Sequence, residues 1–211
     1  MRRVVTRHAD AARDRFQFAG YRTRAIFLTL TYRVDVEWCP DQLSAFVAIV
    51  RKHLGRRGAE FAYEVVMELH QSGRPHYHVL LWVPPGVTLP KPDEAGWWPH
   101  GSTRIETARS GPAYLAKYAS KGHDDLPLPF GARLHAVGGS VPELRLVAHR
   151  AGLPAWLVSK IGPGNRAARV PWVGWTCHAT GEIFTSPFGF VFGWDTSGQA
   201  FFEFTKLEDS S

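Results

Sequence analysis

Two histidines one residue apart, His76 and His78, follow Glu68 by eight and ten residues in the segment ELHQSGRPHYHVLLWV, residues 68–83. On an extended strand residues i and i+2 project to the same side, so both imidazoles face one way. Upstream, Phe61, Tyr63, Val65, Met67 and Leu69 alternate with Glu60, Ala62, Glu64, Val66, Glu68 and His70, which predicts a strand with one core face and one wet face. Gln71 to Arg74 reads as the turn between the two strands. An odd loop, such as the three residues 71–73, places Glu68 opposite His76 on the same face; a two-residue loop turns Glu68 away. Two imidazoles and one carboxylate leave positions open for water and a phosphate oxygen, a donor set that suits Mg²⁺ or Mn²⁺ as well as Zn²⁺.

The elements that must hold these residues are readable on either side. Residues 25–34, AIFLTLTYRV, predict a strand with Ile26, Leu28, Leu30 and Tyr32 on one face and Phe27, Thr29 and Thr31 on the other, so the threonines are candidates to line the histidine face. Pro40-Asp41 opens a helix to about Arg57 whose stripe of Leu43, Phe46, Val47, Val50 and Leu54 should cover the apolar side of the sheet. A Pro- and Gly-rich loop over 86–100 carries Trp97 and Trp98, and Ser102 to Thr107 is a short strand. Ser110-Gly111-Pro112 starts a second helix ending at Gly122. In it Tyr114 and Tyr118 share a face, as do Lys117 and Lys121. Tyrosines so spaced serve as core or stacking residues, or as nucleophiles where a metal site stands beside them.

At 211 residues with 45% hydrophobic content and eight tryptophans, the chain can bury a full core. Two cysteines without a spacing pattern fit a reducing compartment. A formal charge of +6 and a pI of about 9.6 favour a polyanionic partner, nucleic acid first. Residues 1–22, rich in arginine, read as a loosely ordered arm or a short helix over 11–16. They lack the apolar core of a signal peptide and no window reaches membrane-spanning length, so a soluble, cytoplasmic protein without a membrane partner is expected. Residues 143–161 read as a helical hairpin or a helix-turn-helix, and 171–204 as a small antiparallel sheet.

Taken together, Phe27 to Thr31, His76-Tyr77-His78, and Tyr114 through Lys121 resemble, in order and spacing, the three motifs of rolling-circle replication initiators of the HUH endonuclease superfamily. The closest resemblance is to bacterial filamentous phage or plasmid replication proteins. It implies an α+β fold, a central antiparallel sheet with helices packed on it around a ferredoxin-like core, followed by a small C-terminal helical and β extension. The chain then divides into a basic arm (1–24), an endonuclease domain (25–135) and the extension (136–211). It implies Glu68, His76 and His78 as ligands of Mg²⁺ or Mn²⁺, and Tyr118 or Tyr114 as the nucleophile that forms a 5′-phosphotyrosine bond. Lys121 and Lys117 lie about one turn beyond the tyrosines, where a cation would help a phenol whose ordinary pKa is about 10. Arg74, Thr29, Thr31, Trp97 and Trp98 are the candidate contacts to single-stranded DNA at a replication origin; the tryptophans could equally pack on their own domain. No nucleotide-binding Gly-rich Lys motif follows, so unwinding would fall to a host helicase, with a host polymerase extending the 3′ end. Two rivals are a non-catalytic DNA-binding protein reading duplex through 143–161 and a Zn-dependent hydrolase using the same ligands.

Overall fold

The computed structural model describes residues 2–18, 24–70, 72–108, 115, 128–194, 196–197 and 199–207. They form two compact units, 1–152 and 153–211.

The first unit is built on five antiparallel strands: β1 (Arg24–Leu30), β2 (Ala62–Leu69), β3 (Pro75–Val83), β4 (Thr103–Thr107) and β5 (His135–Gly139), in the order β4-β1-β3-β2-β5. β1 and β2 run parallel to each other with β3 between them, and helix α2 (Asp41–Gly55) makes the crossover, the split β-α-β arrangement of ferredoxin-like sheets. The fold is therefore α+β with helices laid on a central antiparallel sheet.

One face follows from the alternation. Ile26, Leu28, Leu30, Val65, Met67, Tyr77, Val79 and Leu81 point to α2, whose Phe46, Val50 and Leu54 meet them. Asp41 in its first turn and Lys52 and His53 in its last suit the helix dipole. Trp98 also belongs to this core. It is fully buried, and its Nε1–H donates to the Thr31 carbonyl at 2.8 Å. Gly101 is required nearby, because a Cβ there would stand 2.1 Å from the same carbonyl oxygen. The loop is tied down by Asp93, whose Oδ1 accepts from the Thr103 hydroxyl at 2.5 Å.

The other face is wet only at one end, which corrects the expectation for Glu60 to His70. The arginine-rich N-terminal stretch is a 17-residue helix, α1 (Arg2–Phe18), not a loose arm. Its residues Val5, His8, Ala9, Ala12 and Phe16 fall at helical spacing and are all buried, while Arg2, Arg3, Arg7 and Arg15 stay outside. With Ala62, Val66, Leu80 and Trp82 this stripe makes a second core. The helix α3 (Pro142–Gly152) packs beside α1 and adds Leu144, so the first unit extends past residue 135 to Gly152. β5 carries no alternating pattern; its glycines are there for close approach. A Cβ on Gly138 would lie 2.7 Å from the Tyr63 hydroxyl.

In the second unit the helix after α3 is one turn, Ala155–Val158. Four residues are too few to lie along a major groove, so the helix-turn-helix reading is not supported. The expected small antiparallel sheet is two: strands 167–170, 174–177 and 183–184 in one, 188–194 and 200–206 in the other.

Candidate metal centre

The β2–β3 turn decides the site. The His70 N–H donates to the Arg74 carbonyl at 2.8 Å and the Gly73 N–H to the His70 carbonyl at 2.7 Å, leaving residues 71–73 as a three-residue loop. Gly73 sits at φ 76°, the left-handed position such loops require. The count is odd, and Glu68 stands opposite His76 in register.

Glu68 Oε2 lies 3.2 Å from His76 Nε2 and 2.9 Å from His78 Nε2, and the three donor atoms fall within 4.8 Å of one another. Two donors bound at about 2.1 Å and at right angles to one ion are about 3.0 Å apart. The two measured contacts match that edge, so one carboxylate oxygen and two Nε2 atoms fit a single divalent ion. His78 is buried, with Phe27 stacked on it at 5.6 Å between ring centroids, while Glu68 and His76 remain partly open. Phe27 thus fixes the inner ligand and leaves the outer two accessible.

Thr29 pairs with His78 on one side and Arg104 on the other, placing all three in one row across the sheet. A cleft of about 520 Å³ opens beside the trio, lined by Thr29, Thr31, His70, Ser72, Arg74 and His76. The Thr31 hydroxyl donates to the Ser102 carbonyl at 2.8 Å. Tyr32 also borders the cleft, but burial, then the neighbouring Tyr77, push its phenol well above the ordinary range. It is no ready nucleophile.

Of the residues expected at the site, Glu68, His76, His78, Thr29, Thr31 and Arg74 come together. Trp98 does not: as part of the α2 core it offers no face to a base. Trp97 is half-buried and packs edge-on to His53 at 4.8 Å, because the Pro-rich loop folds back onto α2. Tyr114, Lys117, Tyr118 and Lys121 lie outside the described residues. Leu115, next to Tyr114 in sequence, is helical and fully buried in the core that also holds Phe27, the face that carries the histidines.

Sequence reasoning missed the neighbour that seals this face. Glu64, four residues before Glu68, is fully buried; its Oε1 meets His8 Nδ1 of α1 at 2.5 Å and its Oε2 accepts from Trp82 Nε1–H at 2.9 Å. Burial pushes the Glu64 carboxyl up, against the pull of His8 and Trp82. The available signal was the helical spacing of Val5, His8, Ala12 and Phe16.

Residues 25–123 match the family model of replication-associated proteins of the ORF2 group. The match spans β1 to β4 with the whole metal centre, a little under half of the chain. Over that span the chain is similar to replication-associated proteins. No curated protein and no solved structure matches it. No helix among the described residues is long and apolar enough to cross a membrane.

Proposed function

We propose that this chain is an HUH-type replication initiator that nicks and rejoins single-stranded DNA through a tyrosine. The observation that carries the reading is the Glu68 carboxylate set within hydrogen-bonding distance of both imidazoles on one open face, inside a segment similar to replication-associated proteins.

Glu68, His76 and His78 would hold the divalent ion, Mg²⁺ or Mn²⁺. When bound, such an ion polarises a non-bridging phosphate oxygen and offsets the charge that develops on it. Thr29, Thr31 and Arg74 line the adjoining cleft and orient the strand. The phenolic oxygen of Tyr118, with Tyr114 as its alternate, attacks phosphorus in line. The Tyr O–P bond forms, the P–O3′ bond breaks, and the 3′ oxygen leaves as a hydroxyl after taking up a proton. One phosphodiester replaces another, so no energy source is needed, and phenolate is a good enough leaving group for the reverse reaction. Lys121 and Lys117, about one turn beyond the tyrosines in a helical reading, favour the phenolate. Host helicase and polymerase complete the replication role.

The test is incubation with end-labelled single-stranded DNA containing the cognate origin and Mn²⁺, with and without chelator, followed by a denaturing gel and mass mapping. The expected result is a chelator-sensitive adduct on Tyr118 or Tyr114, lost in the double Tyr→Phe variant. Metal-dependent cleavage that survives in that variant would indicate a hydrolase using the same ligands. No cleavage at all would leave a DNA-binding protein.

A further inference from the structure

On the α2 side of the sheet, a cleft of about 670 Å³ runs between α2 and the edge strand β5. Arg51 and Lys52 border it from the last turns of α2, Arg133 and His135 from the start of β5, and Tyr63 from β2. No carboxylate lines it, and among the described residues none of the three arginine and lysine side chains forms an ion pair. The groove between α1 and α3 has the same volume and differs in this respect. There Arg2, Arg3 and Arg7 share the lining with Asp10 and Asp14, so the charges largely balance.

We propose that the α2–β5 cleft is a second nucleic-acid site, one that grips the phosphates of single-stranded DNA flanking the segment held at the metal centre. The identity of the polymer rests on the proposed function; the preference for a polyanion rests on the cleft itself. Gathered cations repel one another, and a phosphate chain relieves that repulsion while releasing its counterions. Arg133 is in place to hand the strand from one face to the other. The Met67 N–H donates to the Leu134 carbonyl at 2.9 Å, so the start of β5 lies one residue from Glu68 along β2. β5 is the outer strand of the sheet, and a chain leaving the metal face can turn round that edge. The Tyr63 phenol lies over Gly138, where any side chain would intrude, and this keeps the floor of the cleft clear.

The test uses the full chain in chelator, so that binding is read without chemistry. Fluorescence anisotropy compares a long single strand with a short one covering only the nick site, at several salt concentrations, for the parent, Arg51→Glu/Lys52→Glu, Arg133→Glu and the milder Arg51→Gln/Lys52→Gln. The expected result is at least a tenfold loss of affinity for the long strand in the charge reversals. The log–log salt slope should fall by about 0.7 for each phosphate contact removed. Affinity for the short strand should be unchanged, as should the thermal unfolding midpoint. Parent-like affinity and slope on the long strand would overturn the proposal, and so would an equal loss for heparin and for DNA. Failure of the nicking function reads differently: no adduct with Mn²⁺, whatever these isotherms show.

Discussion

Glu64 and Glu68 sit on the same strand and the same face, four residues apart, and meet opposite fates. Each faces histidine. Glu64 meets His8, delivered by a helix that closes over it, and is sealed from water with Trp82 as its second partner. Glu68 meets His76 and His78 from the neighbouring strand and stays partly open beside a cleft. A carboxylate–imidazole contact is therefore structural or functional according to what lies above it. Under α1 the charge can only hold the helix down; beyond α1 it can take a ligand.

The greatest loss of activity is expected at the open carboxylate. Glu68→Gln should lower metal-dependent nicking by at least about a hundredfold, since the ion supplies several kcal/mol of charge stabilisation. The unfolding midpoint should scarcely move; initial rates and a urea melt on the same preparation check both. At the sealed carboxylate the pattern should invert. Glu64→Ala, by stranding a buried partner, should cost about 3–5 kcal/mol of stability in denaturant titration, while isothermal titration still finds one Mn²⁺ bound to the folded fraction.

A third carboxylate carries the contrast into pH. Burial alone would raise Asp93, but the hydrogen bonds from Thr103 and Lys91 win and hold it at about 2 against an ordinary 3.8. Its folded-state pKa is depressed, so its contribution is present above pH 3.8 and is lost as pH falls toward about 2. Glu64 has the opposite sign: its folded-state pKa is raised, so its own contribution is present below 4.5 and declines as pH rises through the raised value. Melts of Asp93→Asn against the parent should therefore differ at neutral pH and converge near pH 2. A more modest change is expected at the turn. Gly73→Ala forces a side chain into positive φ and should cost about 1 kcal/mol, with nicking retained because the loop length is unchanged.

Much of the open site was legible because it is local. Strand parity and an odd turn suffice to bring Glu68, His76 and His78 together, and the α2 core follows from simple alternation. The sealed side was not, for reasons visible in particular residues. Glu64 looks solvent-facing until His8 arrives from 56 residues away. The arginines of α1 mask a stripe made of alanines, one valine and one phenylalanine, too faint to stand out from an unstructured arm. In β5 the two glycines that admit Tyr63 erase the pattern of a strand. Trp98 lay in a loop rich in proline and glycine, where only the fold reveals that the loop returns to the core.

The spans of these two contacts also set an order in time. Glu68 finds its histidines across 8 and 10 residues, whereas Glu64 must wait for a closure of 56, and short closures come first. The ligand trio is thus assembled while α1 is still undocked. A divalent ion present during folding can engage the nascent hairpin before the helix clamps down, making the metal a participant in the protein's maturation as well as in its chemistry.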